Sequence, residues 1–413
     1  MNKRALLLIG LLAGPASAET LAQAVDMAYG SNPVLAAARA RQDSLAETPE
    51  QARAAGRLTA AADAAAGYDK FDYGKGGAAT VSADLPIWTG GRVSSSVRAA
   101  QGDVAAGAEG LRDTQAQVLS DVVGAYAELL YDQQAADIAR ADIALLDHQV
   151  AEANARYKLG QATKTDVAQL EAQRASAVAT LADAEATLAV TTAGYRATVG
   201  RDPGTLAPPP VALQAMPASL DQARGRTLDS NPLYRQSQRL ADASSARIDA
   251  ARANGAPSVS LGGSYGYDGR VTGDDHAFPR AASAGVILHV PILTGGLVAS
   301  QVRQARADYR AAQYDRDAAA REAVRATEAA WASMQGAKAQ ADANHSRVVA
   351  ADLALKGVRA EYAFSLRTTL DILVADESLR AAQLAEARSR SDLLIQQSAL
   401  LRATGGLDRA AFE

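Results

Sequence analysis

In the longest proline-free stretches, apolar residues recur at steps of three and four. Between Gly91 and about Lys158, the positions Val118, Val122, Ala125, Leu129, Ala136, Ala139, Ile143, Leu146, Val150, Ala153 and Tyr157 keep that spacing with one skipped position. This is the pattern of a coiled-coil seam. At 1.5 Å per residue the helix it predicts reaches roughly 100 Å. A return helix is predicted from about Thr165 to Val199, and the pair recurs as roughly Leu297 to Ala363 and Thr369 to Ala403. No globular domain buries such lengths. These helices need one another, or other chains.

A second pattern has period two. Val259, Leu261, Gly263, Tyr265 and Tyr267 alternate with Ser258, Ser260, Gly262, Ser264 and Gly266. That predicts a strand with one apolar face and one small polar face. Ala284, Val286, Leu288, Val290 and Ile292 continue it after a polar loop around Thr272 to His276. A weaker version runs through Ala79, Val81, Ala83, Leu85 and Ile87. Its partner near Leu58 to Asp69 places Asp63 and Asp69 on the polar face. Each strand pair follows a helix opened by Ser-Asn-Pro, with Asn as N-cap and Pro at the first helical position. Those helices are predicted from Pro33 to about Ala55 and from Pro232 to about Asn254.

The order of elements is therefore written twice. From Leu85 to Asp103 and from Val290 to Asp308, 11 of 19 positions are identical at a constant offset of 205. The same offset aligns Tyr157 with Tyr362, Asp166 with Asp371 and Gly200 with Gly405. The expected organisation is a first repeat over 19–202, a proline-rich linker over 203–217 and a second repeat over 218–413. Before these, Lys3 and Arg4 precede the apolar run Ala5 to Ala13, and Ala16-Ser17-Ala18 follows. Residues 1–18 read as a secretory signal cleaved after Ala18.

Composition sharpens this picture. Alanine makes up roughly a quarter of the chain and aromatic residues 5%. Alanine favours helix and adds little buried volume, so long, closely packed helices are expected instead of a thick core. With 42 basic and 46 acidic residues, nothing in the charge points to nucleic acid. The absence of cysteine excludes disulfides, thiolate metal sites and a lipid-modified N-terminal cysteine. After the signal, no apolar run is long enough to cross a bilayer as a helix. A membrane location then requires a β-barrel.

Candidate chemistry is sparse. Gly262-Gly263-Ser264-Tyr265-Gly266 fits the G-x-S-x-G pattern, but a nucleophile elbow needs a helix directly after the serine, and Asp268-Gly269 follows. His148, His276, His289 and His345 lack metal-ligand spacing, and no cofactor motif is present. The pair Asp376-Glu377 reads as a solvated helix face. The turns between long and return helices stand out, running Tyr157 to Asp166 in copy one and Tyr362 to Asp371 in copy two. Asp166 and Asp371 are, on the simplest reading, helix-start residues stabilised by the dipole.

Together these features resemble the TolC-like outer membrane factor family. The most specific pieces are Pro86-Ile87 with Thr89-Gly90-Gly91 and its copy, Arg156-Tyr157 with Thr165-Asp166, and Tyr362 with Arg367 and Asp371. The resemblance covers the chain after the signal. It implies a mainly α fold with β: a trimeric outer-membrane β-barrel, four strands per protomer, continuous with a long α-helical coiled-coil barrel. A closed barrel is the β structure that satisfies its backbone in lipid.

The implied function is a passive exit duct of a tripartite efflux pump or type I secretion system, with a periplasmic gate. Its implied partners are two further copies, outer-membrane lipid, a periplasmic membrane-fusion adaptor and an inner-membrane transporter. No cofactor, metal or nucleic acid is implied. By the same resemblance Tyr362 and Arg367 bond to Asp166 and Thr165, Asp371 lines the pore constriction, and Gly160 and Ser365 mark the two turn tips. Two positions depart from the family pattern. Val374 stands where a second pore-lining acid is expected, and Ser365 replaces a glycine. The acidic ring is then thinner or displaced towards Asp376. The competing readings are a secreted or periplasmic hydrolase using Ser264, and a periplasmic coiled-coil scaffold without a pore.

Overall fold

The computed structural model describes residues 18–69, 74–210, 212–272, 275–277, 280–364 and 366–412. The element order is α1 (Leu21–Ser31), α2 (Pro33–Ala46), α3 (Thr48–Ala54), β1 (Thr59–Asp69), β2 (Gly74–Trp88), α4 (Arg92–Lys158) and α5 (Lys164–Val199). The second half repeats it as α6 (Leu220–Ser230), α7 (Pro232–Ala253), β3 (Ser258–Thr272), β4 (Asp275–Ala277), β5 (Arg280–His289), α8 (Leu297–Ala363) and α9 (Thr369–Ala403). Most of residues 1–18, the expected signal, lie outside the described residues.

The helix expected from Pro33 to about Ala55 is broken into α2 and α3. Pro49 has no N–H to give the carbonyl of Leu45, and the Thr48 hydroxyl donates to that carbonyl at 2.8 Å instead. The long helices match the seam spacing, and α4 and α8 each run for 67 residues. Helices α1 and α6 were not anticipated. The polar loop expected around Thr272 to His276 is instead strand on both sides, with Arg270, Val271 and Thr272 paired to Ala277, His276 and Asp275. Val290 to Ile292 leave the strand, which stops before Pro291.

The chain divides into two compact units, and neither follows the repeats: each takes segments from both copies. One comprises residues 37–113 and 228–324. Its centre is an antiparallel sheet in the order β1-β2-β3, with β5 along most of the other side of β3 and the short β4 along the remainder. The register puts Val81 opposite Tyr265, Leu85 opposite Leu261, Leu261 opposite Val286 and Val259 opposite Leu288. One face is thus continuously apolar, and Val81, Leu261, Tyr265, Val286 and Leu288 on it are all exposed. The other face aligns Ser82, Ser264 and Ser283.

The other unit comprises residues 1–36, 114–227 and 325–413. Its core joins Leu21 and Val25 of α1 to Leu119, Val122, Tyr126 and Leu129 of α4, Tyr195 of α5 and Leu401 of α9. The buried Glu19 carboxylate accepts from the Tyr195 hydroxyl at 2.8 Å and pairs with Arg201 at 2.6 Å. Away from the helix turns the helices of this unit lie in a row. Arg140 of α4 meets Glu185 of α5 at 3.0 Å, Ser391 of α9 donates to the Ala127 carbonyl of α4 at 2.7 Å, and Asn344 of α8 donates to the Ala385 carbonyl of α9 at 3.3 Å. The order is α5, α4, α9, α8.

Candidate functional site

The two helix turns are built alike. In copy one the Gln161 N–H donates to the Arg156 carbonyl at 2.9 Å, and Gly160 takes a φ of +71°, a left-handed conformation that glycine adopts without strain. In copy two the Leu366 N–H donates to the Glu361 carbonyl at 3.0 Å. Ser365, the other expected tip residue, lies outside the described residues. The return helices then open with reciprocal capping boxes. The Asp166 N–H donates to the Thr163 hydroxyl, and the Asp166 carboxylate accepts from the Thr163 N–H at 2.9 Å. Thr368 and Asp371 do the same, with the carboxylate bond at 2.7 Å. These bonds hold both carboxyls below the usual aspartate range, the bond from the threonine backbone N–H being the first cause. Both aspartates are therefore helix-start residues and remain charged at neutral pH.

The remaining candidates gather near these caps. A groove of about 400 Å³ is lined by His148, Arg156, Asp166, Arg359, Tyr362 and Thr369 among others. It brings Tyr362 and Asp166 to one surface. The bonds to Asp166 and Thr165 implied by the family resemblance are not formed within the chain. The Tyr362 hydroxyl accepts from Arg156 at 2.9 Å, and Arg367 pairs with Glu361 at 2.6 Å. Thr165 is exposed in the first turn of α5.

Asp376 departs from both of its expected roles. It is 4% exposed, so it is neither a solvated helix face nor an open acidic lining. Its carboxylate lies 3.0 Å from Arg380 and 3.6 Å from Arg359, and Arg380 also pairs with Asp142 of α4. Burial pushes the Asp376 and Asp142 carboxyls up, against the opposing pull of Arg380. Sequence reasoning missed Asp142 and Arg380, because nothing local links two residues on different repeats. It also missed the caps Thr163 and Thr368, although Thr-x-x-Asp at both turns was a legible signal.

Ser264 sits inside β3, with its hydroxyl 2.8 Å from that of Ser283. A strand interior supplies neither the sharp turn nor the following helix of a nucleophile elbow, so the hydrolase reading fails. Among the described residues no cluster of acids and histidines has metal-binding geometry.

Comparison with known proteins agrees with this architecture. The profile of the family described as outer membrane efflux protein matches residues 24–201 and 223–406, one segment in each copy. The outer membrane efflux protein BepC of Brucella suis biovar 1 is 32% identical over 406 residues, covering 97% of this chain and 89% of its own length. The outer membrane protein TolC of Vibrio cholerae is 26% identical, covering 97% and 93%. Among solved structures, the outer membrane protein VceC of Vibrio cholerae superposes with a TM-score of 0.74 at 22% identity, covering 94% of this chain and 96% of that one.

Proposed function

The chain belongs to the outer membrane efflux protein family, and from that premise we propose that it is a passive, gated exit duct that works as a homotrimer. Its location is the outer membrane, and it is not an enzyme. One observation carries the duct reading. The sheet exposes a continuous apolar face, yet β1 and β5 leave its two edges unpaired among the described strands. Open edges are not tolerated in lipid, and a sheet of this width is too narrow to close on itself. Strands from three copies close one barrel. The chain is processed after Ala18, and its repeats over 19–202 and 218–413 are joined by the linker 203–217.

The gate lies at the helix turns. Arg156 of α4 donating to Tyr362 of α8 ties the copy-two helix pair to the copy-one pair. A hydrogen bond involving a charged group contributes about 1.5–3 kcal/mol, and three copies multiply it. That strength holds a tip closed yet lets a partner release it. Arg367, Asp166, Thr165 and Asp371 complete the constriction, and Asp371 supplies its negative charge. A periplasmic adaptor and an inner-membrane transporter are the partners that open it and deliver cargo.

The test is Tyr362→Phe combined with Arg156→Ser. Both helices remain intact, and the variant should conduct ions more readily in planar bilayers than the unaltered protein. Equal conductance would mean that the tip is held by other contacts.

A further inference from the structure

Burying charge in a helix seam costs stability unless every polar atom finds a partner. The seam between α4 and α9 leaves some without one. Asp142 is 7% exposed and Asp376 4% exposed. Arg380 pairs with one oxygen of Asp142 and lies 3.0 Å from Oδ2 of Asp376, while Arg359 reaches the other Asp376 oxygen at 3.6 Å. Even so, Asp142 Oδ1, Asp376 Oδ2 and Arg380 Nη2 are buried and make no hydrogen bond.

Asp142, Asp376 and Arg380 line a groove of about 520 Å³, with Ile138, Leu145 and Leu379 as apolar walls. That volume falls within the range of small-molecule sites, about 300–1,000 Å³. The other acids on the groove are already paired. Asp137 meets Arg140 at 3.0 Å, and Glu386 meets Arg390 at 2.5 Å and His345 at 2.8 Å. Nor does the duplicated fold require the buried triad. At the offset of 205, Asp142, Asp376 and Arg380 correspond to Arg347, Glu171 and Ala175.

We propose that this groove binds a primary ammonium carried on an apolar body, its head on Asp142 and Asp376 and its body against Ile138, Leu145 and Leu379. An ammonium brings three donors and one positive charge, which answers the two carboxylate oxygens left without a hydrogen bond. A bare divalent metal ion fits less well. It demands about six oxygens, whereas Arg380 already stands beside both carboxylates. Among the described residues no acid and histidine cluster has metal-binding geometry. An anion fits least, because the groove is lined by four carboxylates and two arginines.

The site lies within one chain and does not depend on the oligomeric reading. Its two acids come from different repeats, Asp142 from α4 of copy one and Asp376 from α9 of copy two. An occupant that bridges them strengthens the tie between the copies, so binding stabilises the folded chain by mass action. Both carboxylates must be charged to hold the ammonium. Burial raises both carboxyls, so affinity falls as pH is lowered through those raised values.

The test titrates 2-phenylethylamine hydrochloride into the purified full chain in detergent at neutral pH, by calorimetry and by thermal melting. Binding should saturate with a roughly millimolar midpoint, and the melting temperature should rise with it. Methylamine, which has the head without the body, should bind far more weakly. Asp142→Asn should weaken binding by about tenfold or more. Ile138→Trp, which fills the groove and leaves the acids in place, should do the same, and either variant decides alone if the other does not fold. Asp371→Asn, at the helix turn, should bind the amine as the unaltered protein does. No saturable heat, or equal heat from methylamine and sodium chloride, overturns the site. So does binding that survives both groove variants, binding lost in Asp371→Asn, or a stronger response to magnesium chloride.

Discussion

Replacing Arg380 with methionine tests the packing of α4 on α9. Arg380 is the buried cation between two carboxylates. Its side chain is 17% exposed, while those of Asp142 and Asp376 are 7% and 5% exposed. Methionine keeps most of the stem volume and removes the charge. Two carboxylates then remain in a poorly solvated seam, with only the half-exposed Arg359 at 3.6 Å from Asp376. Breaking a buried ion pair by removing one partner costs about 3–5 kcal/mol. At roughly 2–4 °C per kcal/mol for a unit of this size, thermal melting followed by helical circular dichroism in detergent should fall by about 10 °C at neutral pH.

The pH dependence fixes the sign. Both carboxyls already sit above their ordinary value in the folded chain, so the fold binds those protons more tightly than the unfolded chain does. Their contribution is therefore most favourable when protonated and is lost as pH rises through the raised folded values. In Arg380→Met the deficit should shrink as pH is lowered towards the ordinary aspartate range. Adding Asp142→Asn and Asp376→Asn should recover most of the loss at neutral pH. If Arg380→Met melts with the unaltered protein, or its deficit does not depend on pH, the seam is not held as described.

Two further substitutions probe the other unit, and a third, outside it, serves as their control. Leu288→Arg places a charge on the exposed apolar face opposite Val259. It should cost about 2–4 kcal/mol if the site lies near the bilayer midplane, read as a loss of assembled protein in the outer-membrane fraction. Gly102 lies so close to α7 that an added Cβ meets the Ala243 Cβ at 2.8 Å. Gly102→Leu should overpack α4 against α7 by about 1–3 kcal/mol, seen as a lower melting temperature, whereas Gly124→Leu, with nothing within 4 Å, should be milder.

Much of the architecture was legible because it rests on local periodicity. The three-four spacing that passes through Leu129, Leu146 and Tyr157 located α4, and the alternation through Leu261 and Tyr265 located β3. Duplication then checked each element against its copy. The break at Pro49 was missed, although proline leaves the Leu45 carbonyl without its helical donor. What escaped was the set of contacts between distant segments. Tyr362 and Arg156 were each picked out, but their pairing was not, because several polar residues at the turn were equally able to reach Tyr362. Asp376 looked like an exposed acid beside Glu377, and only the packing of α9 on α4 reveals that it is buried with Arg380. Solvent exposure of a charged residue on a long helix is set by its neighbours, and a single sequence does not name them.

The central claim is that this chain forms a closed duct through the outer membrane. Single-channel recording of the purified protein in planar bilayers tests it most directly. The account predicts discrete ion-conducting steps that enlarge or lengthen when Tyr362→Phe and Arg156→Ser are combined. Bilayers that stay silent with both the unaltered protein and this variant would contradict it.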